Sequence, residues 1–221
     1  MELSRDSGLL EIKVYEALRD AILSGEYKAG SPLTELGICE KLGVSRTPVR
    51  SAIHRLSEDG LIDSSPNKGA VVIGVNGDDL VDIYRIRMRL EGLASALAAE
   101  KMTAEEKKEL SDYVELSEFY IMKKDAEHIK ELDTVFHSKI YEKSGSRMLC
   151  KILSDLHRNI KAYRKLSLTA PGRPEESVKE HREILEAILN SDASEAERLT
   201  SLHIEKALLS IQNALETNQI D

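Results

Sequence analysis

The sequence has no tryptophan, two phenylalanines and seven tyrosines, so aromatic residues make up 4% of its 221 residues. Leu, Ile, Ala and Glu are frequent instead, which favours helices over sheets. There are two cysteines, Cys39 and Cys150. They lie far apart and fit no paired-ligand spacing, which excludes a disulfide framework and a cysteine metal site and leaves both as reduced, structural residues. No apolar run approaches a membrane span, and residues 1–10 lack the apolar stretch of a secretory signal. The expectation is a soluble, cytoplasmic protein with no membrane partner. No internal repeat or low-complexity segment is present. An excess of positive charge is also missing: 31 Lys and Arg stand against 39 Asp and Glu, for a net charge of −8. That balance argues against a nonspecific nucleic-acid binder, so the distribution of charge along the chain matters more than its sum.

The remaining composition, 41% hydrophobic and 32% charged, suits one or two compact domains with real cores. Two textures are visible. Residues 1–74 hold three short helical patterns followed by a turn-rich stretch with strand character. Residues 75–78 belong to a Gly/Asn/Asp-rich linker. Residues 79–221 read as helix after helix, roughly 78–101, 104–123, 126–145, 147–169, 175–190 and 193–215. Short breaks between them imply an antiparallel bundle. The chain is therefore mainly α.

In the first region, residues 10–23 form a helix with Ile12, Val14, Tyr15, Leu18, Ile22 and Leu23 on its apolar side. Residues 25–32 are a loop. Thr34 is the N-cap of a second helix that ends near Leu42, and Gly43 makes the turn. Ser45 caps a third helix running to Asp59, with Pro48 tolerated in its first turn. Residues 61–65 and 70–73 are two strands of a hairpin around Pro66-Asn67-Lys68-Gly69. The third helix separates its chemistry by face. Val49, Ala52, Ile53 and Leu56 point inward, while Arg46, Thr47 and Arg50 share another side. Arg46 and Arg50 are one turn apart near the positive end of the helix dipole, which suits phosphate. Arginine also pairs bidentately with guanine in the major groove. Between Lys41 and Ala70 there are five cations and three anions, so this stretch is locally basic. The competing reading is an ordinary solvated face.

The run Leu42-Gly43-Val44-Ser45-Arg46-Thr47-Pro48-Val49-Arg50, with Leu56, Glu58-Asp59-Gly60-Leu61-Ile62 and the upstream Gly30-Ser31-Pro32-Leu33, resembles the DNA-binding domain of the GntR family. The resemblance implies a winged helix-turn-helix whose recognition helix enters the major groove and whose wing tip reaches the minor groove. It implies DNA contacts from Arg46, Thr47 and Arg50, and from Lys68 and Gly69 at the wing. Two positions depart from the family pattern: Leu36 stands where many members have Arg, and Ser51 replaces a common Glu. The first departure implies a lost DNA contact and a different operator preference.

In the helical region, polar residues on apolar faces carry the information. Asp133 and His137 sit one turn apart on a stripe with Ile129, Leu132, Phe136 and Ile140. His181 falls among Val178, Ile184, Leu185 and Ile188, and His203 among Leu199, Leu202, Ala207 and Leu208. One carboxylate and three imidazoles facing inward from three helices are costly unless partnered. A divalent metal satisfies all four; local hydrogen bonds within satisfied cores are the alternative. His54 is placed on the recognition helix, His128 in solvent and His157 on an apolar stripe. Arg87 interrupts the inner stripe of Leu80, Ile83, Leu90, Ala94 and Leu97, and needs an anion, either Glu91 one turn on or a bound carboxylate.

Leu132-Asp133-Thr134-Val135-Phe136-His137, Ser144-Gly145-Ser146, Glu180-His181-Arg182-Glu183-Ile184 and Leu202-His203 resemble the FCD ligand-binding domain of the FadR subgroup. The resemblance implies an FCD-type bundle holding a metal on Asp133, His137, His181 and His203, and a pocket role for Arg87. It also implies a homodimer on near-palindromic operator DNA. Three nitrogens and one oxygen suit zinc or nickel. By simple count such an ion keeps a charge near +1, which favours an anionic further ligand. The expected function is a transcriptional regulator, a repressor, whose operator affinity answers to a small organic acid. Two alternatives stay open: a metal-dependent hydrolase, since such a site can activate water, and a regulator whose metal-free pocket takes an acyl or aromatic ligand.

Overall fold

The computed structural model describes residues 3–65, 69–160, 163–164, 167–168 and 170–218. It divides into two compact units, Met1–Gly77 and Asp78–Asp221.

The first unit contains α1 (Leu3–Leu23), β1 (Pro32–Leu33), α2 (Glu35–Leu42), α3 (Arg46–Glu58), β2 (Ile62–Ser65) and β3 (Gly69–Val72). Helical spacing puts Val14, Leu18 and Ile22 of α1 on one stripe, which packs with Val49, Ala52 and Leu56 of α3, Ile38 of α2 and Leu33, Ile62 and Val72 of the sheet. Ile12, expected on that stripe, is exposed; two residues from Val14, it lies about 200° around the helix. Thr34 caps α2 by accepting from the Gly37 N–H at 3.2 Å. Gly43 ends it in the left-handed conformation at φ 66°, which glycine adopts without steric cost. The Ser45 backbone is at an N-cap position, but its hydroxyl makes no capping bond.

The sheet is antiparallel in the order β1-β3-β2, with Leu33 opposite Ala70 and Ile62 opposite Val72. β1 was not expected. Two residues are too short for alternation to register, and its partner β3 lies nearly forty residues on. Pro32 is tolerated there because β1 is an edge strand. Pro66, Asn67 and Lys68, the expected wing tip, lie outside the described residues.

The second unit contains α4 (Gly77–Lys101), α5 (Ala104–Lys123), α6 (Ala126–Lys143), α7 (Arg147–Asn159), α8 (Arg173–Leu189) and α9 (Ala193–Asn218). Its breaks are capped by local polar groups. Thr103 and Glu106 form a capping box at α5, and Asp125 and Ser146 accept from the first turns of α6 and α7. α5 packs on α6 and α8, and α8 on α9 and α6, around Val114, Phe136, Ile140, Leu153, Ile184, Leu185 and Ile188. α4 approaches α9 closely: a Cβ at Gly92 would stand 2.7 Å from Ser201 Oγ. The same seam carries the Thr200–Ser95 hydroxyl bond of 2.7 Å. The expected helix 147–169 is shorter, because Ile160 leaves the helical conformation at φ −109° and ψ 16°. Tyr163, Arg164 and Ser167 are helical again beyond it.

Candidate functional site

Asp133 and His137 project from one face of α6 because they are four residues apart. His181 comes from the middle of α8 and His203 from α9. All four are buried, and a ligand atom from each lies within 4.8 Å of the others. His137 Nε2 and His203 Nε2 are 3.3 Å apart. Asp133 Oδ1 stands 3.9 Å from His137 Nε2 and 3.6 Å from His181 Nε2. His181 Nε2 has no hydrogen-bond partner although it is buried. Phe136 stacks on the His181 ring at 4.2 Å between centroids and fixes its plane.

Three of the four cluster residues are held from behind by charged side chains. The His203 Nδ1–H donates to Glu180 Oε2 at 2.7 Å, and Arg173 Nη2 donates to the same oxygen at 2.8 Å. Glu91 Oε2 stands 2.9 Å from His137 Nδ1, and Arg87 Nε donates to Glu91 Oε1 at 2.6 Å. Arg164 donates to Asp133 Oδ2, leaving Oδ1 turned to the histidines. Glu180 behind His203 Nδ1 puts the proton on that nitrogen and leaves the Nε2 lone pair directed inward; Glu91 Oε2, buried and without a hydrogen-bond partner, is the acceptor nearest His137 Nδ1.

Electrostatics follow from this packing. Burial pushes Asp133 up, but Arg164 and the three imidazoles outweigh it and hold the carboxyl well below the usual range. Burial likewise raises Glu180, and its bonds from His203 and Arg173 win, leaving it low. Burial drives His181 well down, with His203 adding to the effect. It lowers His203 too, against the pull of Glu180. His181 and His203 are thus neutral imidazoles, each able to offer a ring-nitrogen lone pair.

The donor set fits a divalent cation. Two nitrogens at about 2.0–2.1 Å from one ion lie roughly 3.0–3.4 Å apart, and the His137–His203 separation of 3.3 Å falls in that range. An orphaned, buried Nε2 on His181 points the same way.

Beside the cluster is a narrow cavity whose lining includes Tyr84, Arg87, Arg164, Arg173, Ser177 and His203. Arg87 pairs with Glu91 as its i, i+4 spacing implied, yet its Nη1 is buried and unpartnered, as is the Tyr84 hydroxyl. The roles of Glu91 toward His137, of Glu180, and of Arg164 and Arg173 were missed in the sequence. Arg164 had a signal: it continues the stripe of Leu153, Leu156 and Ile160 at i+4. Glu180 immediately precedes His181 but gave no sign of facing His203 on another helix. His157 is buried, with Tyr141 Oη 3.2 Å from its Nδ1. His128 is exposed and pairs with Asp125 at 2.7 Å.

In the first unit, Arg46, Thr47 and Arg50 are exposed on α3 while Val49 between them is fully buried. Arg46 makes no ion pair among the described residues. Arg50 Nε is 2.9 Å from both oxygens of Glu35 on α2. The Ser45 hydroxyl makes no capping bond to the first turn of α3. Gly69 is exposed at the start of β3 with φ 78°. Lys68 is not among the described residues, and His54 is exposed with Nδ1 3.9 Å from Glu58.

Two family models match this chain: residues 10–72 fit the bacterial regulatory proteins of the gntR family, and residues 82–206 fit the FCD domain. The chain belongs to the GntR-type regulators that carry an FCD domain. This GntR-type regulator is 29% identical over 207 residues to the HTH-type transcriptional regulator YdhC of Bacillus subtilis (strain 168), covering 93% of this chain and 92% of YdhC. It is 25% identical over 206 residues to the HTH-type transcriptional repressor RspR of Escherichia coli (strain K12), covering 93% and 90%. Its fold matches E. coli McbR/YncC with a TM-score of 0.72 at 26% identity, over 92% of this chain and 97% of the other. The families and relatives of this regulator are transcriptional regulators and not enzymes, which sets aside the hydrolase alternative. Among the described residues no helix is long and apolar enough to cross a membrane.

Proposed function

We propose that this regulator is a cytoplasmic repressor of the FadR subgroup that binds operator DNA as a homodimer and responds to a small organic acid. Residues 1–74 read DNA, residues 75–78 link, and residues 79–221 sense. Arg46, Thr47 and Arg50 meet the major groove, and Lys68 and Gly69 the minor groove. The exposure of the three helical residues over a buried Val49 supports this. The name of RspR supports repression.

The observation that carries the sensing role is the convergence of Asp133, His137, His181 and His203 beside an arginine-lined cavity. These four residues would hold zinc or nickel. A bound divalent ion offers open coordination positions to a carboxylate. The chain's own residues do the rest. Glu91 and Glu180 orient the imidazoles, Arg164 aims Asp133, and Arg87 presents its free Nη1 to the acid.

Arg87 and Glu91 sit on α4, the helix into which the linker runs. A change at Arg87 therefore acts on the element covalently joined to the DNA-reading unit. The acid regulates only if it binds one arrangement of the protein more tightly than the other. Metal analysis of the purified chain beside His137→Ala and His181→Ala tests the site. One equivalent in the wild type and none in the variants supports it. No metal in the wild type after incubation with zinc or nickel turns the reading to a metal-free acyl or aromatic pocket.

A further inference from the structure

The cavity has more cationic donors than a single carboxylate at the ion needs. Arg173 is buried at 5% exposure. It spends Nη2 on Glu180, while Nε and Nη1 are buried without hydrogen-bond partners. Nη1 has only a distant acidic neighbour, Glu176 Oε2 at 3.8 Å, which is largely in solvent. Arg173 opens α8, a 17-residue helix, so the positive end of the helix dipole adds to its charge. Ser177, one turn on, lines the same cavity, as do Arg87 and Tyr84 with their own orphaned donors. Unpartnered arginine nitrogens away from water are costly unless a ligand supplies the acceptor.

Charge bookkeeping agrees. Arg87, Arg164 and Arg173 are paired with Glu91, Asp133 and Glu180, and Lys206 Nζ adds a further cation 3.0 Å from Glu180 Oε1. A divalent ion on the cluster would add two further positive charges to this buried site. A monocarboxylate removes one of them, and a dianion removes both.

We propose that Arg173, with the first turn of α8, forms a second anion subsite, and that the effector is a small dicarboxylate. One carboxylate sits at the metal cluster beside Arg87, and the other takes the two free donors of Arg173. This rests on the organic-acid reading above and specifies its ligand.

The test is calorimetric titration of the zinc-loaded full-length chain with malonate, succinate and glutarate, and with butyrate as a monocarboxylate. The expected result is that at least one dicarboxylate binds about 10-fold or more tighter than butyrate. In Arg173→Lys, which keeps the charge but loses the planar fork, that preference shrinks to about threefold or less. Thermal melts and zinc content, measured alongside, show that the variant is folded and loaded. If the variant fails to fold, the wild-type ratio alone decides. Butyrate binding as tightly as every dicarboxylate overturns the second subsite and leaves the organic-acid reading standing. No binding of any acid to the loaded protein overturns both.

Discussion

His137 and His203 face each other through their Nε2 atoms at 3.3 Å, each with its Nδ1 turned to a buried glutamate. Two Nε2 lone pairs at that distance repel unless a cation, or a proton shared as N–H···N, lies between them. The arrangement, with Asp133 and the orphaned His181 Nε2 alongside, predicts metal-dependent stability. Saturating zinc or nickel should raise the melting temperature of chelator-treated protein. A ligand at 100 times its Kd adds about 2.7 kcal/mol. His181→Ala should abolish the rise. An equal rise in that variant would place the ion elsewhere.

The glutamates behind the imidazoles should matter nearly as much as the ligands. Glu180→Gln keeps the shape but removes the charge that orients His203 and pairs with Arg173. Metal affinity should fall about 10–100-fold, read by competition with a chromophoric chelator. Glu91→Gln should also destabilise the fold, because it leaves the buried Arg87 without its counter-charge, a loss of about 3–5 kcal/mol. Denaturant unfolding measures that loss. Affinity and stability both unchanged would show that these carboxylates are bystanders.

Much of this architecture was legible in the sequence. The four residues of the buried cluster stood out as polar residues on apolar stripes, and the helix breaks were marked by Thr103, Asp125 and Ser146, which cap α5, α6 and α7. β1 was not legible, since Pro32-Leu33 becomes a strand only when β3 pairs with it. The break at Ile160 was hidden because the residue is as apolar as its neighbours and only its backbone departs. The pairs Glu180–His203 and Arg164–Asp133 join residues 23 and 31 positions apart on different elements. No local periodicity reports such partners; they are set by how the helices pack.

On the DNA side, Arg46→Ala should weaken binding to a specific duplex by about 1–3 kcal/mol if it reads a base, and lower the salt slope by about 1 if it meets a phosphate. Arg50 is held by Glu35 at 2.9 Å, so Glu35→Gln should loosen its aim. Fluorescence anisotropy should then show reduced discrimination between operator and unrelated duplex. Being exposed, the pair should contribute little to folding. A Glu35→Gln protein with unaltered discrimination would mean that Arg50 is not positioned through this contact.

Acid should destabilise the metal-free protein. Burial pushes His157 well below its ordinary value of 6.5, with Arg164 and Arg87 adding to the shift, and burial does the same to His181. As pH falls through 6.5 the unfolded chain takes up these protons first, so stability complete above that pH is lost below it. Each histidine contributes up to about 1.4 kcal/mol per pH unit. Melts in chelator from pH 8 to 5 should fall steadily below pH 7, and His157→Gln should make the decline shallower. A flat or rising profile would contradict the assigned burial.

The most direct measurement of the whole account is the affinity of the zinc-loaded, full-length protein for the DNA upstream of its own coding sequence, with and without saturating succinate. The account predicts specific binding that weakens about 10-fold or more on addition of the acid, and a His181→Ala protein that binds the same DNA but ignores the acid. Specific binding that succinate and the other small acids leave untouched, or no preference for any duplex over unrelated DNA, would contradict it.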